Sequence, residues 1–596
     1  MKKTKLLFSL SILAILGIVG CTPKESNIII PDPSGNVDGG GQIDDVVIPD
    51  TGEKPDVNVT GDFTLTTEDG EYSKEGSLYT ITKAGSYTLK GTLEGQIIIN
   101  AGDNDVVELE LNGFSITYGL DSPIKVINAD KVEISAKKNT SNSITDTRSA
   151  KTSDLDTQGE GAISAKCDLK LKGAGTLVIE GTYNNGIHTT KDLTIQKETL
   201  YVVANNNAIK GKSSIEITSG NITAVSKTGN GLKTDKNDLS SKGNQKGNIF
   251  ISGGTLLVDA PQDGIDASYD IEISELDSTV PTNLTIKTGK NSTYKSNYDS
   301  QKSSKGLKAD DIVTVTGGTI NIASTDDSIH ANYGNLYDED DSTVVTGFGQ
   351  GNISITGGTI GIAAGDDGLH ADNTLDISGG KINITGATEG IEATHIKIAG
   401  GETHIYGTDD GVNASKKINE TPSVLVSGGF LDVSMASGDT DGIDSNGNFT
   451  QTGGLIVSRG GYGSSGRMST GLDVDGTAVI SGGTFIAFNG MEKTPTKGSD
   501  VLYAYYGTTG NSGGWNPDGP GGGPGPGHRA VTSYPFQAGT YTLTGDNFSK
   551  TFTNTYNYAT FLIYSNELTV GNTYTLANGS TTILSWTQSS SSQQIN

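Results

Sequence analysis

The chain runs to 596 residues with a formal net charge of −27, 33% hydrophobic residues and 83 glycines. Such an acidic balance excludes binding of phosphate backbones, which needs stripes of lysine and arginine, so no nucleic acid partner is expected; Walker, dinucleotide and HExxH motifs are absent too. A low hydrophobic share with many glycines suits a thin, corner-rich array rather than a thick globular core.

At the N-terminus, Lys2, Lys3 and Lys5 precede an apolar run from Leu6 to Val19 and the box Ile18-Val19-Gly20-Cys21. This is the pattern of a lipoprotein signal peptide over residues 1–20, with Cys21 as the lipidated first residue of the mature chain. The run is short for a membrane span, which takes about 20 residues. The expected location is extracytoplasmic, lipid-anchored at the cell envelope, with the membrane met through the anchor only. Cys167 is the one further cysteine, which excludes a disulfide framework and a cysteine-based zinc site. Residues 21–59, rich in Pro, Gly and Asp, read as a flexible tether. Residues 60–160 carry strand signals such as Ile97-Ile98-Ile99 and Val107-Glu108-Leu109-Glu110-Leu111 and read as an N-terminal cap and the first coils.

Between 161 and 498 one phrase returns. It stands as Asp263-Gly264-Ile265-Asp266-Ala267, Asp367-Gly368-Leu369-His370-Ala371, Asp410-Gly411-Val412-Asn413-Ala414 and Asp441-Gly442-Ile443-Asp444-Ser445. Its glycine position recurs at intervals with a floor near 22 residues, longer intervals reading as 22 plus a loop. Periods of about 20–50 residues mark solenoids, propellers or arrays. A second phrase in each unit, as in Ile251-Ser252-Gly253-Gly254-Thr255-Leu256 and Ile355-Thr356-Gly357-Gly358-Thr359-Ile360, sets alternating residues about a glycine pair, the mark of short strands joined at corners. So short a unit cannot hold a propeller blade, which takes about 40–45 residues. The expected fold class is all-β: a right-handed parallel β-helix solenoid with a C-terminal β cap. At one strand spacing per coil the rod would be roughly 50 Å long. Within the phrase, Ile and the final Ala point inward, whereas Asp, the fourth residue and the one after Ala point outward. Residues 499–530 form a Gly/Pro-rich loop, and residues 531–596, with alternating stretches such as Thr560-Phe561-Leu562-Ile563-Tyr564, form the C-terminal β cap that closes an open edge. The chain is expected to be a monomer.

The outward positions begin with an amide ladder, Asn185, Asn207 and Asn230, and then collect acids. Doubled acids stand at Asp326-Asp327, Asp366-Asp367 and Asp409-Asp410, and Asp263, Asp266, Asp441 and Asp444 extend the files. Two carboxylates one coil apart repel by about 3.5 kcal/mol at an effective dielectric of 20, heavy against a stability of about 5–15 kcal/mol. Splaying into water, retained protons or a divalent cation can relieve this. Calcium, with six to eight flexible oxygen ligands, suits acids paired across coils. Ca2+ is therefore the expected cofactor, with these ten aspartates as candidate ligands. Asp-Gly is also a common turn pair, and both readings stand. His330 and His370 share the fourth position of the phrase, with His188 upstream; they fit either polar residues bonded to Asp or a transition-metal site.

Long intervals place insertions at 287–304, 332–351, 415–423 and 458–469, all emerging beside the acidic face. Their Tyr294, Tyr298, Tyr333, Tyr337, Phe348 and Tyr462 offer flat faces to sugar rings or pack their own loops.

The pairing of Asp-Asp-Gly-[Ile/Leu]-His-Ala with Ile-Ser-Gly-Gly-[Thr/Lys]-Ile-x-Ile resembles the secreted bacterial carbohydrate-binding parallel β-helix family of the clostridial cellulose- and polygalacturonate-binding type. The resemblance covers roughly residues 60–590. It implies a shape similar to one pectate lyase family, bound calcium and affinity for plant or acidic polysaccharide. Carried over residue by residue, it marks Asp326, Asp327, Asp366, Asp367, Asp409 and Asp410. Ser328 in place of Gly, and Glu389 and Lys305 in place of Asp, depart from the pattern and put those coils in doubt as metal sites.

The leading expectation is a non-catalytic, calcium-dependent binder of polysaccharide, acidic and polygalacturonate-like or else cellulose. One alternative is a calcium-dependent polysaccharide (pectate-type) lyase with Lys308, or Lys233, as base; a lysine among acids is a poor base because its charged form is stabilised. Another is a protein-binding surface adhesin.

Overall fold

The computed structural model describes residues 53–152, 158–334, 349–438, 440–462, 469–507 and 533–595. The signal segment with Cys21, most of the tether, Tyr337, Phe348 and the Gly/Pro-rich run around Trp515 lie outside these residues. The described chain is all-β and dominated by one large, mostly parallel sheet. No helix among the described residues is long and apolar enough to cross a membrane.

Through the repeats, strands come in threes, and each pairs in parallel with the corresponding strand one unit later. Asn185–Thr189 pairs with Ile209–Gly211, Asp192–Gln196 with Ser214–Ile217, and Glu198–Ala204 with Gly220–Ser226. Three files of strands result, in register along most of the chain. In the phrase file, Ile265, Leu307, Ile329, Leu369, Ile391, Val412 and Ile443 stack in turn, and all are fully buried. Ala267, Ala309, Ala331, Ala371, Ala393 and Ala414 form the parallel ladder beside them. Alternation along a strand explains why these two positions reach the core.

Glycine is required at two places in the unit. The second residue of the glycine pair turns the corner with φ of +95° at Gly254, +90° at Gly358 and +78° at Gly483, values an L side chain resists. The phrase glycine is held by close approach instead. A Cβ at Gly264 would meet Ile286 at 2.4 Å and the Gly306 carbonyl at 2.7 Å.

Toward the N-terminus, Thr64–Thr67 and Tyr72–Glu75 pair antiparallel with Gly85–Glu94 and Leu78–Ile81, after which parallel stacking begins. At the other end a four-stranded antiparallel sheet, Phe548–Asn554, Gly539–Gly545, Thr573–Asn578 and Thr581–Thr587, carries its own aromatic core around Phe488. Phe561–Ser565 joins it to the repeats by pairing antiparallel with Thr484–Phe488. Leu502–Tyr506 is a strand on the other edge of Phe561–Ser565, although residues 499–530 were expected to form a loop. Its sequence Leu-Tyr-Ala-Tyr-Tyr supplies the strand propensity, which the Gly and Pro further along the segment obscure. Arg459, fully buried, pins the cap: it donates to Asp432 at 2.5 Å in the coils, and to Asn554 at 2.7 Å and the Thr553 carbonyl at 2.9 Å in the antiparallel sheet.

Candidate functional site

The fourth position of the phrase forms one continuous file. From the N-terminal side it reads His188, Lys210, Lys233, Asp266, Lys308, His330, His370, Glu392, Asn413, Asp444 and Asp473, each paired with the next. Strand alternation turns this file away from the apolar ladder, as expected. It is not open to solvent throughout, however: Asp263, Asp266, Asp327, His330, Asp367 and Glu392 are all buried. The insertions fold down over it. Ser303 donates to Asp263 at 2.5 Å, the Tyr333 backbone N–H to Asp372 at 2.7 Å, and Lys417 lies 2.8 Å from Glu392.

The centre of the file is a network built on two stacked imidazoles. The rings of His330 and His370 lie 4.5 Å apart and nearly parallel. His330 Nδ1 is 2.6 Å from Asp327, and His370 Nδ1 is 2.6 Å from Asp367 and 3.1 Å from Glu392, with Nε2 3.2 Å from Asp372. Burial keeps His330 neutral by lowering its pKa. Burial acts the same way on His370, but the hydrogen bonds to Asp367 and Asp372 outweigh it and push His370 up to about 10. His370 is thus an internal cation. Lys305 is another, 2.8 Å from Asp326 and 2.5 Å from Asp327. Asp327, although buried, is held well below the usual carboxylate range by His330 and Lys305.

Four groups of acids and histidines bring ligand atoms within 4.8 Å of one another among the described residues: Asp327, His330 and His370; Asp367, His370 and Glu392; Asp326, Asp327 and Asp366; and Asp366, Asp367 and Glu389. The two histidine-bearing groups suit a transition metal by ligand type, but their Nδ1 atoms already face carboxylates and His370 is protonated. Lys305 occupies the third group. The fourth, Asp366, Asp367 and Glu389, is all carboxylate, with Asp366 exposed to water. Its charge is compensated only at Asp367, by His370. Burial, then Asp367 and Asp327, push Asp366 up to about 6; burial and a hydrogen bond shared with Asp367 push Glu389 up to about 9. Hard oxygen donors in a flexible, partly hydrated setting fit a calcium ion.

The remaining candidates separate into two sets. Asp266 is bound by Lys233, with Lys308 at 3.7 Å and Asn230 donating at 3.0 Å. Asp263 accepts from Ser303 and the Lys305 backbone. Protein cations and donors reach both acids, although burial and Asp266 still push Asp263 up to about 6. Asp410, Asp441 and Asp444 lie together further along, where Asp410 accepts from the Asp441 backbone N–H at 3.0 Å and Asp441 from Thr470. Burial and the neighbouring acids push Asp410 and Asp444 up to about 7. Asp409 is exposed beside them.

Lys308 is held protonated. Burial alone would lower its pKa, but Asp266, Asp263 and Asp310 outweigh burial and raise it. Lys417 was not legible in the sequence as part of this network; the available signal was its place in the 415–423 insertion directly after a phrase. Of the loop aromatics, Tyr462 stacks on Tyr556 of the cap at 3.5 Å between ring centroids and is a packing residue. Tyr294, Tyr298 and Tyr333 are half-buried. Cys167 is a buried free thiol in the core, its pKa pushed up to about 12 by burial.

Comparison with known proteins adds the following. The family model described as "Carbohydrate-binding domain-containing protein" matches residues 75–347 and 336–437. A protein of the same description from Acetivibrio thermocellus is 32% identical over 193 residues, 32% of this chain and 62% of that protein, so the chain spans under two thirds of that relative's length. A solved structure described as the polysaccharide lyase-like protein from C. thermocellum, gadolinium derivative, is 28% identical, covers 43% of this chain and 92% of that one, and superposes with a TM-score of 0.35.

Proposed function

The chain belongs to the family of carbohydrate-binding domain-containing proteins, and on that premise we propose that it is a non-catalytic polysaccharide-binding protein that uses calcium held at Asp366, Asp367 and Glu389. The scaffold is read as a right-handed parallel β-helix, anchored by lipid at Cys21 outside the cytoplasm. The observation that carries the reading is the all-carboxylate group, in which His370 answers Asp367 but no protein cation pairs with Asp366 or Glu389 among the described residues, and both are pushed up, to about 6 and about 9. Calcium, when bound, would place positive charge on this file and leave coordination positions for sugar hydroxyls and carboxylates. The chain's own part is to hold Asp366 and Asp367 on one coil against Glu389 on the next, whose backbone N–H donates to Asp367 at 3.3 Å.

A lyase needs a base on this face, and Lys308 is kept in its charged form, so binding without cleavage is the better-supported activity. Affinity electrophoresis through polygalacturonate and through soluble cellulose derivatives, with calcium and with chelator, tests the reading. Retardation that needs calcium, and that Asp366→Asn with Asp367→Asn abolishes, is expected. Migration unaffected by every glycan would sink the proposal, and growth of unsaturated-uronate absorbance would replace it with the lyase.

A further inference from the structure

The N-terminal end of the same file carries a different chemistry. A cavity of about 630 Å³ opens beside His188, with Lys151, Lys210 and Lys212 in its wall and the amides of Asn184 and Asn206 along one side. That volume lies within the range of about 300–1,000 Å³ usual for small-ligand sites. Two of its lysines are spoken for: Lys151 is 2.9 Å from Glu160 and Lys210 is 2.6 Å from Asp235. Lys212 has no ion pair among the described residues. One positive charge is therefore left over, amid groups that are otherwise neutral in sum.

The surroundings are already ordered. Asn206 donates to Asn184 at 2.9 Å, and Asn184 donates to Glu160 at 2.6 Å. Each amide head holds a donor and an acceptor, the combination that pairs with sugar hydroxyls. His188 is 4% exposed, and its Nδ1 has no hydrogen-bond partner. Burial, reinforced by Lys210 and Lys212, pushes it down to about 4, so the ring is a neutral polar wall rather than a second cation. A densely charged polyanion would meet Glu160 and Asp235 here and be repelled. A ligand with one negative charge and several hydroxyls matches both the surplus charge and the amides.

We propose that this cavity is a second glycan subsite, which binds the carboxylate of a singly charged sugar acid through Lys212 and its hydroxyls through Asn184 and Asn206, without a metal. The site stands several coils from His370 in the same file, the coil that carries Asp366, and does not depend on the calcium reading.

Titration calorimetry on the mature full-length chain in EDTA tests it, with glucuronate- and galacturonate-containing disaccharides and the matched neutral disaccharides as probes. Saturable binding of the acidic sugars in EDTA is expected, weakened about ten- to a hundredfold by Lys212→Met, the span of one charge-assisted hydrogen bond. Methionine keeps the apolar stem, and an unchanged melting temperature shows that the variant is folded. Asn184→Ala with Asn206→Ala, reading the hydroxyl contacts, is expected to weaken acidic and neutral sugars alike. Asp366→Asn with Asp367→Asn, which removes the calcium site, is expected to leave affinity in EDTA intact. Equal affinity for acidic and neutral sugars, no binding in EDTA, or full affinity in Lys212→Met would each overturn the proposal.

Discussion

Two stretches of one file share backbone, spacing and phrase but solve the charge problem differently. From His188 to Lys308, lysines are paired with acids: Lys210 meets Asp235, and Lys233 and Lys308 meet Asp266. From His330 to Asp473 acids outnumber the cations. Asp326, Asp327, Asp366, Asp367, Asp372, Glu389 and Glu392 face Lys305, Lys417 and the protonated His370, and beyond them Asp410 and Asp444 lie with Asp473 among further acids. The first stretch is neutralised largely by its own lysines, although burial and Asp266 push Asp263 up to about 6. In the second, burial and like charges push Asp366 up to about 6, Asp410 and Asp444 up to about 7 and Glu389 up to about 9, which is where an external cation has most to gain.

The sharpest way to break this contrast is to remove the cation at the boundary. Lys305 is largely buried between Asp326 and Asp327, and cutting a buried ion pair on one side costs about 3–5 kcal/mol. Lys305→Met is therefore expected to lose about that much stability in EDTA, measured by urea unfolding. Added calcium is expected to restore part of it, because the boundary then resembles the acid-rich stretch. Equal losses with and without calcium would remove the link between the acids and the ion.

An acid in the lysine-rich half isolates the effect of burial alone. Glu198 is fully buried, and neither carboxylate oxygen has a hydrogen-bond partner. Burial pushes it up to about 9, against an unfolded value near 4.3. Below the unfolded value both states carry the proton and the group does not tilt folding. As pH rises from there to about 9, the unfolded state gains by ionising and stability falls. At pH 7 the deficit approaches about 4 kcal/mol at about 1.4 kcal/mol per unit. Glu198→Gln is expected to recover most of that at pH 7 and little at pH 4. A gain that is flat from pH 4 to pH 8 would show that Glu198 is not the group that titrates.

Calcium itself should distinguish the halves by a smaller amount. An ion that binds only the folded state stabilises by about 2.7 kcal/mol at a hundred times its dissociation constant. Wild type is expected to show this shift, Asp366→Asn with Glu389→Gln to lose it, and Asp263→Asn to retain it, since Ser303 and backbone donors already answer Asp263. Denaturation midpoints across a calcium series make the measurement.

Much of this was legible from periodicity. The spacing near 22 residues and the glycine pairs gave the stacked strand units, and alternation placed Ile265, Ala267 and their equivalents in the core. Acid doubling led to Asp366 and Asp367. What escaped is tertiary. The file was expected to face solvent, but loops far apart in sequence, through Ser303, Tyr333 and Lys417, cover it. Asp266 reads as a ligand in sequence and is an ion-pair partner in space, because Lys233 and Lys308 occupy the same phrase position one coil to either side. Single-residue alternation cannot signal that: it depends on the register between units separated by insertions of different length.

The amide ladder that opens the file offers the mildest test. Asn207 donates to Asn185 at 2.8 Å in a buried setting, and its own carbonyl accepts from the Asn230 backbone N–H at 3.2 Å. The next step ends the amides, since Asn230 donates to Asp266. The ladder thus hands one coil's hydrogen bonds to the first acid of the file. Asn207→Ala strands the Asn230 N–H and the Asn185 carbonyl oxygen, and a buried group left without its partner costs about 1–3 kcal/mol. A loss near 1 kcal/mol, the low end, is expected because water from the neighbouring cavity can reach part of the gap. Asn207→Asp keeps the acceptor for Asn230 but sets a carboxylate against the Asn185 oxygen. It is expected to cost more than alanine at pH 7 and less at pH 3, where the protonated acid can donate in the amide's place. An alanine variant worse than aspartate at pH 7 would show that the ladder is held by volume rather than by its donors.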